Sequence, residues 1–167
     1  ISDNIDILHV SPEEIIKKKL KKHAKKYISI DIVDGFADQC EDLTKLSYDN
    51  STFDLIWCSH VLEHIKHDFK AISEMYRILR KGGKAIIQVP IWGEITKESD
   101  KDLTSKEKEK YYYQDDHVRL YGLDIVKRFE QQNFKVEVIK TTDLNLEHVI
   151  YHSLSYYTTN EIFVLCK

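Results

Sequence analysis

The chain is 167 residues long, the size of about one domain. With 42% hydrophobic and 32% charged residues it can build a core, which sets it apart from disordered chains. Lys+Arg of 25 against Asp+Glu of 28 argues against a bulk nucleic-acid binder, and no apolar run reaches the ~20 residues of a membrane span. Cys40, Cys58 and Cys166 are odd in number and widely spaced, with no C-x-x-C pair. Neither a disulfide framework nor a cysteine zinc site is expected, and a reducing, cytoplasmic setting is. The chain begins at Ile1 and not at Met, and so reads as a fragment or a trimmed chain.

Ile5, Ile7, Leu8 and Val10 form an apolar run, read as a buried strand. Ser11-Pro12-Glu13-Glu14 reads as a helix start, with Ser11 as N-cap, Pro12 at the first helical position and Glu14 closing a capping box. Ile16, Leu20 and Ala24 recur on one face of that helix, and lysines cover the other as a solvated face. Residues 27–32 read as a second strand, and residues 35–51 as irregular, with a short strand near 38–41. Residues 53–58 form the next buried strand. The spacing predicts a helix over 68–80 with Ala71, Ile72, Met75, Tyr76 and Leu79 inward, stopped by Gly82-Gly83. Residues 84–89 form another apolar strand, ended by Pro90. Residues 92–116 are highly charged and lack an apolar period. They form an excursion with one short helix, either a lid or a solvated surface insertion. A helix over 123–132, a strand over 134–139 and a final strand over 162–165 complete the chain. The last strand is expected beside or between earlier ones. Strand–helix alternation implies an α/β sandwich with a mainly parallel sheet covered on both faces. No internal repeat or boundary is visible, so residues 1–167 read as a single domain with residues 92–121 inserted.

In an open parallel sheet, ligands bind at the carboxyl ends of the strands. Ser11-Pro12-Glu13, Asp31, Asp42-Leu43 and Ser59-His60 all fall at such ends. Asp31 follows Ser11 by 20 residues, the spacing at which an acid meets a ribose hydroxyl in nucleotide-binding βαβ units. The first helix would aim its positive N-terminus at an anionic group of the ligand. There is no G-x-G-x-x-G, so a dinucleotide pyrophosphate has no seat, and a nucleoside carrying only a carboxylate fits better.

The run Phe53-Asp54-Leu55-Ile56-Trp57-Cys58-Ser59-His60-Val61-Leu62-Glu63-His64-Ile65, then Glu74-Met75-Tyr76-Arg77-Ile78-Leu79-Arg80-Lys81-Gly82-Gly83, then Ile86-Ile87-Gln88-Val89-Pro90, resembles the central block of class I S-adenosylmethionine-dependent methyltransferases, most closely the type 11 group. Asp115-Asp116-His117-Val118-Arg119-Leu120-Tyr121-Gly122 resembles a D-H-x-R-x-Y-G element of a subset of them. The resemblance implies a Rossmann-like three-layer sandwich with a seven-stranded-type sheet and an antiparallel strand near the C-terminus. It implies S-adenosylmethionine as cofactor. Val10, Ser11, Pro12 and Glu13 take the place of the glycine-rich loop around the methionine part. Asp31, with Ile32 beside it, matches the acid that holds both ribose hydroxyls. Asp42 matches the acid near adenine N6, Leu43 would lie against the ring, and Cys58 and Ser59 follow the fourth strand where cofactor and substrate meet. The usual acid-x-G-x-G-x-G loop is replaced by His9-Val10-Ser11-Pro12-Glu13, similar to an L-H-x-x-P-E loop of a related subgroup.

Methyl transfer to oxygen or nitrogen needs an aligned acceptor and a base. His60, His64 and His117 are the candidate bases, since histidine titrates near neutrality. His117 with Arg119 is preferred on the substrate side, with Arg119 holding a carboxylate or phosphate; His60 completes the catalytic set, and no metal ligand is assigned. The expected acceptor is a small molecule or is glycan-like. Two rival classes remain open. One is a methyltransferase-like binding domain without catalysis. The other is a zinc hydrolase, because His60-Val61-Leu62-Glu63-His64 matches H-x-x-E-H; that motif needs both histidines on one helix, whereas His60 follows a strand directly.

Overall fold

The computed structural model describes residues 3–140 and 161–167. β1 (Ile5–Val10), β2 (Ala24–Asp31), β3 (Gln39–Cys40), β4 (Phe53–Ser59), β5 (Leu79–Gln88), β8 (Lys135–Lys140) and β9 (Glu161–Cys166) form one sheet in the order β3-β2-β1-β4-β5-β9-β8. The first five pair in parallel, and β9 enters antiparallel between β5 and β8. The strand order reverses at β1 and β4, so the carboxyl ends of these strands frame a crevice.

The apolar runs decide this arrangement. α2 (Asp68–Ile78) and α4 (Ile125–Gln131) cover one face, where Phe53, Ile56, Ile72, Met75, Phe129 and Phe163 are fully buried. Each such side chain contributes about 1.5–3 kcal/mol relative to exposure. α1 (Glu14–Leu20) covers the other face, where Leu20 and Ile16 pack with Ile7 and Leu55. Among the described residues no helix is long and apolar enough to cross a membrane.

Three local expectations are corrected. Ser11 does not cap α1: its φ is +50°, its hydroxyl donates to Asp31, and Glu13 is the residue before the helix. α1 ends at Leu20, and Ala24 opens β2 beside Ile5. Ladder pairing at Ala24 outweighs alanine's helix preference. α2 ends at Ile78 because Leu79 is already extended and pairs with Phe53. Gly82 and Gly83 therefore lie within β5. A Cβ on Gly83 would sit 2.9 Å from the Arg80 carbonyl and 3.0 Å from that of Asp54, so the irregular pairing there requires glycine.

The charged excursion is tied down at its base. β6 (Lys97–Glu98) pairs antiparallel with β7 (Arg119–Leu120). Between them runs α3 (Ser105–Tyr112), opened by a capping box of Thr104 and Glu107. Gly122 passes so close to Ile95 that an added Cβ would lie 2.4 Å from its backbone. Only glycine allows the two segments to meet there.

Candidate active site

The crevice at the carboxyl ends of β1, β2 and β4 holds a cleft of about 540 Å³. Val10 and Ser11 form its floor at the end of β1, Asp31 and Ile32 one wall, Asp42 and Leu43 another. His60, Val61, His64 and Ile65 close the far end, joined by Asp116 from the excursion. The volume lies in the range of small-ligand sites. Ile32 is 70% exposed while Leu43 is buried, so both offer apolar surface at this cleft.

The loop after β1 is built without glycine by an internal brace. His9 is wholly buried, with Nδ1 2.8 Å from the Tyr27 hydroxyl and Nε2 2.8 Å from Glu13 Oε2. Burial acts to raise the Glu13 carboxyl, but the bond to His9 together with its own backbone N–H, the His9 charge and the Ser59 hydroxyl outweighs it and holds the acid below its ordinary range. Ser11 takes the left-handed conformation that glycine would favour, and pins it with two bonds. Its N–H donates to the Ile30 carbonyl and its hydroxyl to Asp31 Oδ2, both at 2.8 Å. His60, at the end of β4, also has positive φ, +53°. Strained residues thus stand at two of the strand ends that frame the cleft, as is common at functional sites.

Of the sequence-predicted cofactor residues, Val10, Ser11, Asp31, Ile32, Asp42 and Leu43 line this cleft together. Pro12, Glu13, Cys58 and Ser59 do not. Glu13 is committed to His9. Cys58 is buried, and that burial pushes its thiol well above its ordinary range, so it serves as packing. α1 spans seven residues and carries acidic Glu14 in its first turn, which disfavours an anion there.

Arg119 is corrected more sharply. It is 3% exposed, and its guanidinium donates to Glu98 and to the carbonyls of Leu62, Ile65 and Lys66. It fastens the turn after β4 and is not available to a substrate anion. His117 is likewise buried, at 4% exposure, with its ring 4.8 Å from that of His64. Burial and the neighbouring His64 lower its basicity. Of the three candidate bases, His60 and His64 line the cleft, and His60 is the more exposed. Its Nδ1 lies 3.4 Å from Glu63 Oε1, a contact that raises its basicity. Leu62–His64 is a single 3-10 turn, so the H-x-x-E-H stretch does not lie on one continuous helix.

Val33, Glu41, Val61, Ile65 and Asp116 also line the cleft without having been singled out in the sequence. They are ordinary loop residues in composition, and Asp116 arrives from a segment some 50 residues further along the chain than the turn it meets.

A family model described as a methyltransferase domain matches residues 5–87, which include β1 to β4 and most of β5. The chain belongs to the class I S-adenosylmethionine-dependent methyltransferases. A stretch of 50 residues, 30% of this chain, is 42% identical to a protein of Methanocaldococcus jannaschii, of which it covers 22%. A stretch of 77 residues, 44% of this chain, is 31% identical to a sterol 4-C-methyltransferase of Caenorhabditis elegans, again covering 22% of it. The chain thus matches about a fifth of the length of these curated relatives. An S-adenosylmethionine-dependent methyltransferase of Mesorhizobium loti superposes with a TM-score of 0.70 at 10% identity, over 98% of this chain and 91% of that one, which shows the shared fold.

The donor set of this methyltransferase cleft fits the nucleoside part of that cofactor. Asp31 accepts one bond at each oxygen, from the Ser11 hydroxyl and the Val33 N–H. A carboxylate accepts about four, so it keeps capacity for two hydroxyls. Asp42 Oδ1 accepts from the Thr44 N–H and hydroxyl, and Oδ2 remains for an amine.

Proposed function

We propose that this methyltransferase passes the S-methyl group of S-adenosylmethionine to a small-molecule or glycan-like acceptor. The observation that carries the reading is the cleft itself: Asp31 and Asp42 with the apolar Ile32 and Leu43 at the nucleoside end, and histidines at the other. When bound, the cofactor supplies an electrophilic methyl group on a sulfonium. Asp31 holds the ribose hydroxyls, Asp42 the adenine amine, and Ile32 and Leu43 the ring. Ser11 fixes Asp31 through its hydroxyl.

At the acceptor end His60 stands half-exposed with Nδ1 toward Glu63, which leaves Nε2 to take a proton from an acceptor hydroxyl or amine. The excursion brings Asp116 to the same end, which supports residues 92–121 as a lid over the acceptor. A cleft of this size suits a small acceptor or one sugar unit, and the net charge of −3 disfavours bulk nucleic acid. The free thiols Cys40, Cys58 and Cys166 support a reducing, cytoplasmic setting.

The test offers methyl-labelled S-adenosylmethionine with a panel of hydroxylated small molecules and saccharides. Label on such an acceptor, lost in His60→Ala with cofactor affinity retained, is the expected result. Label passing only to nucleic acid or protein would overturn the acceptor class.

A further inference from the structure

Behind the acceptor end lies a group of polar side chains that neither cofactor binding nor the proton step uses in full. Glu63 is 2% exposed and His117 4%, yet Glu63 Oε2 and His117 Nδ1 have no hydrogen-bond partner. A buried carboxylate oxygen and a buried imidazole nitrogen are each expensive to leave unsatisfied. Together with His64 they bring three ligand-type atoms within 4.8 Å of one another. Two imidazoles and one carboxylate are a donor set for a divalent transition ion such as Zn²⁺, Mn²⁺ or Co²⁺.

The surroundings hold these three in place. The Val118 N–H donates to the Glu63 carbonyl at 2.9 Å, locking the His117 segment to the turn after β4. Arg119 grips the same turn through three carbonyls. Asp116 Oδ2 lies 3.2 Å from His64 Nδ1, the carboxylate partner that orients a ligand histidine. His60 contacts Glu63 through the other oxygen, Oε1, and leaves Oε2 to the cluster.

We infer that Glu63, His64 and His117 form a binding site for one divalent transition-metal ion at the acceptor end of the cleft. The site differs from the H-x-x-E-H arrangement: His60 is a neighbour of the carboxylate, and His117 supplies the second imidazole. Three protein donors leave further positions on the ion for water or for an oxygen of the acceptor. That last role rests on the methyl-transfer reading, whereas binding of the ion does not.

The probe is Co²⁺, titrated into the chelator-treated full chain by calorimetry and visible absorption, with S-adenosylhomocysteine titrated into the same samples. The expected result is one ion per chain without a thiolate-to-cobalt charge-transfer band. Glu63→Gln, His64→Ala and His117→Ala should each weaken binding by at least the ~10–100-fold that loss of a supporting partner costs. His23→Ala, at an exposed histidine paired with Asp3, should keep it. If a buried-site variant fails to fold by circular dichroism, the half-exposed His64→Ala decides. Absent binding, a thiolate band from a cysteine site, or affinity unchanged in the Glu63 or His64 variant would overturn the inference. Cobalt bound without S-adenosylhomocysteine would leave this site standing and remove the methyltransferase reading; the reverse would remove only this site.

Discussion

At His9 two hydrogen bonds at 2.8 Å replace what three glycines do in the usual loop. A glycine loop approaches the ligand through backbone freedom; here a buried imidazole holds the ends of a Ser-Pro turn together. His9→Ala removes one partner from the Tyr27 hydroxyl and one from Glu13 and opens a cavity, so it should cost about 2–4 kcal/mol in urea unfolding. Glu13→Ala, at a half-exposed partner, should cost about 1 kcal/mol. Equal losses in the two variants would contradict the brace. That Ser11, Asp31, Asp42 and Leu43 would meet at one cleft was legible because strand ends and spacing fix their places. The inward turn of Arg119 was not legible. A basic residue beyond a charged insertion looks the same in sequence whether it meets substrate or main-chain carbonyls.

Among the elements, one buried carboxylate joins the base of the excursion to α2 and α4. Asp68, 2% exposed at the start of α2, accepts from the Tyr121 hydroxyl at 2.8 Å and from Arg128 at 2.9 Å, with Arg119 at 3.7 Å. α2, β7 and α4 meet at this single side chain. Asp68→Asn leaves two guanidinium groups short of their counter-charge and should destabilise by about 3–5 kcal/mol, the usual loss when one partner of a buried pair is removed. A change in thermal midpoint no larger than that of an exposed-acid variant such as Asp100→Asn would contradict this. Existence and order of the elements followed from apolar runs. Their ends did not, because Ala24 and Leu79 each carry a helical neighbourhood in sequence and are claimed by strand pairing with Ile5 and Phe53. β6 and β7, two residues each, have too little pattern to be seen.

At the scale of the whole molecule, several ion-paired carboxylates among the described residues are held below their ordinary range. Burial acts to raise Glu98, but Arg128 and Arg119 outweigh it and hold it below its ordinary 4.5. The hydrogen bond from Arg77 lowers Glu74. For Asp54, burial is outweighed by the Asp6 N–H and Arg80. Below about pH 4.5 the unfolded chain therefore binds more protons than the folded one. Stability from these pairs is fully present above the ordinary carboxyl values and is lost as pH falls through the lowered ones. From these pairs thermal midpoints should fall below about pH 5, whereas between neutrality and about pH 5 the lowered His117 removes stability and the raised His60 adds it. A fall beginning near pH 6.5 would instead implicate histidine.

The assignment of the cleft is tested most directly by calorimetric titration of the full chain with S-adenosylhomocysteine, in the wild type and in Asp31→Ala. The expected result is saturable 1:1 binding in the wild type. It should weaken in the variant by roughly 100-fold, the equivalent of about 3 kcal/mol for hydrogen bonds to a charged group. A wild-type chain that does not bind, or an Asp31→Ala chain that binds as tightly, would contradict it.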